Sequence, residues 1–144
     1  MPRAQPCGIG GLSEGGYGAI NIALHHPGEF RLVESWSGYE KADNLKSIFG
    51  GRQTLLRANT PLDTIAAAAP ALRRADTFFW LYSGNDDRFL PQNEKFAALL
   101  AQDGVAHRFY LVRGGHNWAL WRGNAADAYL AASRHLGPEA ARAT

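Results

Sequence analysis

The sequence predicts an α/β fold: about four mainly parallel strands with helices on both faces. Two observations carry that reading. Short apolar runs alternate with helix-like stretches through short connections, the pattern that builds a parallel sheet covered on both sides. In addition, three of the apolar runs end in turns that carry Ser13, Asp86-Asp87 and His116. The carboxyl ends of strands are where open α/β sheets place their sites.

Taken in order, residues 7–12 form the first predicted strand, and Glu14 to His25 a helix stopped by Pro27-Gly28. Residues 30–35 read as a second strand, ending in Trp36-Ser37-Gly38-Tyr39. The stretch from Glu40 to Thr60 is less regular and contains Gly50-Gly51; Asn44 to Phe49 reads as a helical turn within a lid or connector. Pro61 to Arg74 is a predicted helix with proline in its first turn, its alanine run interrupted by Pro70. The run Thr77 to Tyr82 is a buried strand leading into Ser83-Gly84-Asn85. Pro91 to Gln102 is a helix closed by Asp103-Gly104, and residues 108–112 are the fourth strand. The last helix is expected from about Ala125 to His135, ending at Gly137-Pro138, with residues 137–144 a frayed tail. No repeat or low-complexity linker interrupts the chain, so residues 1–144 read as one domain.

The chemistry is concentrated at Gly11-Leu12-Ser13-Glu14-Gly15, a G-x-S-x-G segment between a strand and a helix. In that context the serine sits on a sharp turn whose glycines admit close backbone approach. A serine hydroxyl needs a base to take its proton, and the base needs a group to orient it. His116 follows the fourth strand after Arg113-Gly114-Gly115, and Asp86 or Asp87 follows the third. The order serine, aspartate, histidine is that of α/β-hydrolases. One of the two aspartates is expected to be a turn or capping residue instead. His25 and His26 end a helix, where a cation favours the dipole, and His107 and His135 read as surface or helix-end residues.

Composition narrows the function classes. With 46% hydrophobic and 19% charged residues the chain is globular rather than disordered. A net charge of +2 from scattered basic residues gives no footprint for nucleic acid. Cys7 is the only cysteine, so no intrachain disulfide forms, and its place at the start of a strand suits a packed thiol. No Cys or His spacing suits a metal, so neither metal nor other cofactor is expected. The longest apolar run is too short for a bilayer, which gives no membrane partner. The first residues lack the apolar core of a secretory signal, which gives a cytoplasmic expectation. Trp36, Tyr39, Trp118 and Trp121 are candidate walls of a substrate pocket, with core packing the equal alternative for each.

Three segments together resemble the esterase D-like family of the α/β-hydrolase superfamily: GLSEGGYGA at 11–19, SGNDDRFL at 83–90 and GGHNWALWR at 114–122. The resemblance runs from Ile9 to about His135. It implies a serine carboxylic-ester hydrolase in which Ser13 is the nucleophile, His116 the base and Asp87 the orienting acid, leaving Asp86 to a turn. The substrate would be a small-molecule ester with a short acyl group, passing through an acyl-enzyme. The Glu14 backbone N–H would bind the oxyanion, and its carboxylate is given no role. An acyltransferase with the same three residues, or a non-catalytic hydrolase-like module, are the alternatives.

The resemblance further implies that the elbow serine follows the fifth strand of an eight-stranded sheet, so the chain is expected to correspond to the C-terminal half of that fold. Twelve residues precede Ser13, and the second oxyanion donor, which comes from a loop after the third strand, is not expected among them. The elbow strand then becomes an edge with unpaired N–H and C=O groups. A homodimer through antiparallel pairing of two elbow strands is the expected assembly.

Overall fold

The computed structural model describes residues 7–137. Four strands form one sheet in the order β1-β2-β3-β4: β1 is Gly8–Leu12, β2 Leu32–Trp36, β3 Phe78–Gly84 and β4 His107–Val112. Every pairing is parallel, with Gly8 opposite Leu32, Leu32 opposite Phe78 and Phe79 opposite His107. Sequence order therefore equals spatial order. All four strands point their carboxyl ends to the same edge, which collects the three turns picked out in the sequence.

The helices are α1 (Glu14–His25), α2 (Gln53–Ala58), α3 (Pro61–Arg74), α4 (Leu90–Gln102) and α5 (Trp118–Leu136), with a 3-10 turn at Ala42–Leu45. Because side chains alternate along a strand, each strand feeds two cores. Val33, Phe79 and Leu81 pack with Ile20 of α1, Ile65 and Leu72 of α3, and Phe96 and Leu100 of α4. Leu32, Trp80 and Tyr82 face the other way, onto Leu120, Trp121, Ala128 and Ala131 of α5. A third, smaller cluster joins Tyr17, Tyr39, Ala42, Leu56 and Phe89, and seats the irregular 40–60 segment beside α1 and the turn after β3. Each large side chain sealed in these layers, such as Phe79, Phe96 or Ile20 at 0% exposure, contributes about 1.5–3 kcal/mol by leaving water.

Some boundaries differ from the sequence expectation. Helix α5 begins at Trp118, seven residues ahead of the expected Ala125, because the Asn117 side chain accepts a hydrogen bond from the Leu120 N–H at 3.1 Å and caps it. The short helix α2 was not expected, and the turn expected at Asn44 to Phe49 is a 3-10 turn at Ala42–Leu45. Cys7 stands just outside β1, exposed, with its Sγ on the Glu29 carbonyl at 2.9 Å, rather than packed within a strand. The expected tail falls, apart from Gly137, outside the described residues.

Helix α3 runs through Pro70 without a break. A proline there removes the bond to residue i−4. Ala66, whose carbonyl is released, lies on the exposed face with Pro70 itself, so water can take the place of the missing N–H. Among the described residues β1 pairs with β2 alone, and no helix is long and apolar enough to cross a membrane.

Candidate active site

Ser13 sits where β1 turns into α1. Its backbone is left-handed, φ 53° and ψ −118°, and its N–H donates to the Trp36 carbonyl at 3.0 Å. The turn is as tight as its glycines permit: a Cβ on Gly11 would lie 2.6–2.8 Å from backbone atoms of Gly15. Ser13 is also the N-cap residue of α1, a position where a serine hydroxyl normally accepts a bond from the helix N-terminus. Here it makes no such bond. The Oγ lies instead 2.8 Å from Nε2 of His116.

His116 is carried by the loop between β4 and α5, and its Nδ1 lies 2.8 Å from Oδ2 of Asp87. A carboxylate only accepts, so Nδ1 holds the ring proton and Nε2 is left to accept from the Ser13 hydroxyl. The Asp87 side chain is fully buried and that of His116 is 18% exposed. Edge-on aromatic neighbours confine the imidazole, with Phe89 at 5.3 Å and Trp121 at 5.0 Å between ring centroids.

The structure also settles which aspartate faces the histidine. Asp87 does, and its second oxygen, Oδ1, accepts from the Phe89 N–H at 2.8 Å, so one carboxylate both holds the imidazole and ties down the residue just ahead of α4. Asp86 is exposed and enters the turn through its N–H, donated to the Gly114 carbonyl at 3.0 Å. Two further residues that the sequence did not single out tie the acid loop to the histidine loop. The Asn85 Oδ1 accepts from the Gly114 N–H at 2.9 Å. Gly84 packs so closely that a Cβ on it would overlap the Gly114 carbonyl oxygen. Asn in a turn after a strand is the signal that could have found the first.

The other candidates are placed as follows. Glu14 is the first residue of α1 and is exposed; its N–H belongs to the first turn, where a helix leaves N–H groups without intrahelical partners and carries partial positive charge. Tyr39 is 4% exposed and stacks on Tyr17 at 4.9 Å. Burial, and then the Glu14 carboxylate, push its hydroxyl above the ordinary tyrosine range. Trp36 meets Tyr129 edge-on and gives its indole N–H to Glu34 at 3.0 Å, on the α5 face of the sheet. Trp121 is buried between His116 and Trp118. Trp118, 61% exposed, is the one member of the four whose ring is mostly open to solvent.

A family model described as "Putative esterase" matches residues 1–131. The chain belongs to this esterase family. Among curated relatives, an uncharacterized protein of Corynebacterium glutamicum is 32% identical over 129 residues, covering 79% of this chain and 29% of that protein. An acetyl esterase of Caldicellulosiruptor saccharolyticus is 22% identical over 138 residues, covering 84% of this chain and 52% of the other. Among solved structures, a ferulic acid esterase superposes with a TM-score of 0.77 at 24% identity, over 90% of this chain and 51% of that one. The chain thus spans about half the length of the acetyl esterase it matches, and less of the first relative. Its four-stranded parallel sheet has the α/β-hydrolase architecture of that neighbour.

Proposed function

We propose that the chain is a serine carboxylic-ester hydrolase acting on short acyl esters. The observation that carries this reading is the unbroken line Ser13 Oγ, His116 Nε2, His116 Nδ1, Asp87 Oδ2, with 2.8 Å at each of its two hydrogen bonds. Esterase-family membership supports the same reaction class.

In this mechanism His116 takes the Ser13 proton as Oγ attacks the ester carbonyl carbon. Asp87 keeps the imidazole in its tautomer and stabilises the imidazolium. The negative charge that develops on the carbonyl oxygen is met by the Glu14 N–H and the positive end of α1. The tetrahedral intermediate collapses, His116 gives its proton to the departing alcohol, and an acyl-Ser13 ester remains. Water, deprotonated by His116, attacks that ester and releases the carboxylic acid, returning the proton to Ser13 Oγ. Trp118 provides an exposed wall for the substrate.

We further infer that the edge of β1 that carries no strand among the described residues pairs with a second copy of the chain, because unpaired strand edges are covered in stable assemblies. Light scattering that returns a monomer mass would sink that part alone. For the reaction, the test is hydrolysis of p-nitrophenyl acetate and butyrate by the purified chain beside Ser13→Ala. Turnover that disappears in the variant supports the proposal, and equal rates in both overturn it.

A further inference from the structure

Three non-glycine residues hold a positive φ among the described residues: Ser13 at 53°, Ser37 at 51° and Asp76 at 53°. Such conformations are strained for residues with a Cβ, and they persist where the surroundings over-determine them. Asp76 lies in an exposed turn ahead of β3, where an aspartate tolerates the conformation. Ser13 is the proposed nucleophile. Ser37 is 0% exposed and has no role in the mechanism above.

Ser37 follows the last residue of β2, between the strand that leads to Ser13 and the strand that leads to Asp87. Its neighbour Trp36 accepts the Ser13 N–H at 3.0 Å. Ser37 donates its own N–H to the Tyr82 carbonyl at 2.8 Å, and its Oγ accepts the Gly84 N–H at 3.3 Å. The next residue, Gly38, accepts from the Asn93 side chain of α4 at 2.8 Å. Gly84 passes the constraint on: its carbonyl accepts the Asp87 N–H at 3.2 Å, and its α-carbon lies against Gly114 of the histidine loop. The left-handed turn at Ser37 is what lets one short segment bond toward the elbow through Trp36 and toward the acid loop through Ser37 itself.

We propose that Ser37 is a positioning residue for the Ser13, His116 and Asp87 line, registering the acid and histidine loops against the elbow through the Gly84 N–H. As a statement about catalysis it rests on the esterase reading above. Ser37 touches no reacting atom; it acts through Gly84.

The test uses Ser37→Gly, which keeps the positive φ without strain and removes the Oγ acceptor together with the Cβ that carries it. Asp76→Gly is the control, since it relieves the same strain far from the three residues. The expected result for Ser37→Gly is a kcat for p-nitrophenyl acetate lower by about tenfold or more, since small misplacements of reacting groups carry losses up to about a hundredfold, with KM within about twofold. The His116 ring 15N and Nδ1–H resonances should move in Ser37→Gly, and Asp76→Gly should leave both rate and resonances as in the wild type. Wild-type kcat and unmoved resonances in folded Ser37→Gly overturn the proposal. If the glycine variant does not fold, Ser37→Cys, close in shape with a weaker acceptor, is read the same way. A wild type without Ser13-dependent hydrolysis defeats the esterase reading alone; the resonances then decide whether Ser37 sets the geometry.

Discussion

Asp87 and His116 meet through one carboxylate oxygen at 2.8 Å, while the other oxygen of Asp87 is held at 2.8 Å by the Phe89 N–H. The acid is thus fixed to Phe89, the residue just ahead of α4, and its side chain is fully buried. A carboxylate held on both oxygens cannot swing away from the histidine without leaving a buried N–H unpaired, which costs about 1–3 kcal/mol. Asp87→Asn is therefore expected to keep the fold and the Phe89 bond through its Oδ1, yet to lose about 10⁴-fold in kcat by favouring the wrong imidazole tautomer. Asp86→Ala, at the exposed neighbour, should leave kcat within about twofold, in the range of ordinary surface substitutions. Steady-state kinetics of the two variants checks both.

Gly11→Ala should damage the site through the backbone. The added Cβ would meet Gly15 backbone at under 3 Å, and neither side of the turn can yield without moving Ser13. The expected outcome is a stability loss of about 1–3 kcal/mol, typical of overpacking, with labelling of Ser13 by a fluorophosphonate probe strongly slowed. Thermal unfolding and labelling rate measure the two effects separately.

Trp118→Ala tests the exposed wall. Its ring is 61% exposed, so stability should change by no more than about 0.5 kcal/mol. A rise in KM with kcat unchanged is the expected signature of lost substrate contact made equally in ground and transition states. Unchanged KM for both acetate and butyrate esters would remove Trp118 from the binding surface.

Stability should fall as pH rises. Glu40 is completely buried, neither carboxylate oxygen has a hydrogen-bond partner among the described residues, and burial holds its carboxyl well above the usual range. Glu34, nearly buried, is raised in the same direction by burial, partly offset by the Trp36 N–H. A raised acid keeps its proton in the folded state while the unfolded chain releases one. The folded state then binds more protons, and the stability slope is negative. The contribution is whole below the unfolded carboxyl value and is lost as pH rises from there through the raised folded value. Within that window the slope for Glu40 is about 1.4 kcal/mol per pH unit at most. Glu40→Gln should flatten denaturant midpoints measured from acid to neutral pH and raise the neutral one.

Much of this protein was legible in the residues themselves. Four apolar runs gave four strands: β3, buried along nearly its whole length, is the near-continuous hydrophobic segment that burial on both faces demands, while β1 and β4, at the two ends of the described sheet, are only partly covered. Gly11 ahead of Ser13 announced the turn, because a Cβ there would collide with the Gly15 backbone, whereas a Cβ on Gly15 itself would meet open space. The order of Ser13, Asp87 and His116 along the chain followed from their places after the first, third and fourth strands of a parallel sheet. The burial of Tyr39, the bridge from Ser37 to Gly84 and the meeting of Ser13 with His116 were decided by tertiary structure alone. Each depends on which distant segment arrives beside the residue: Gly84 is 47 positions from Ser37, and His116 is 103 from Ser13. Periodicity and spacing report on a residue's own segment, and it is packing of the sheet that brings these segments within hydrogen-bond reach.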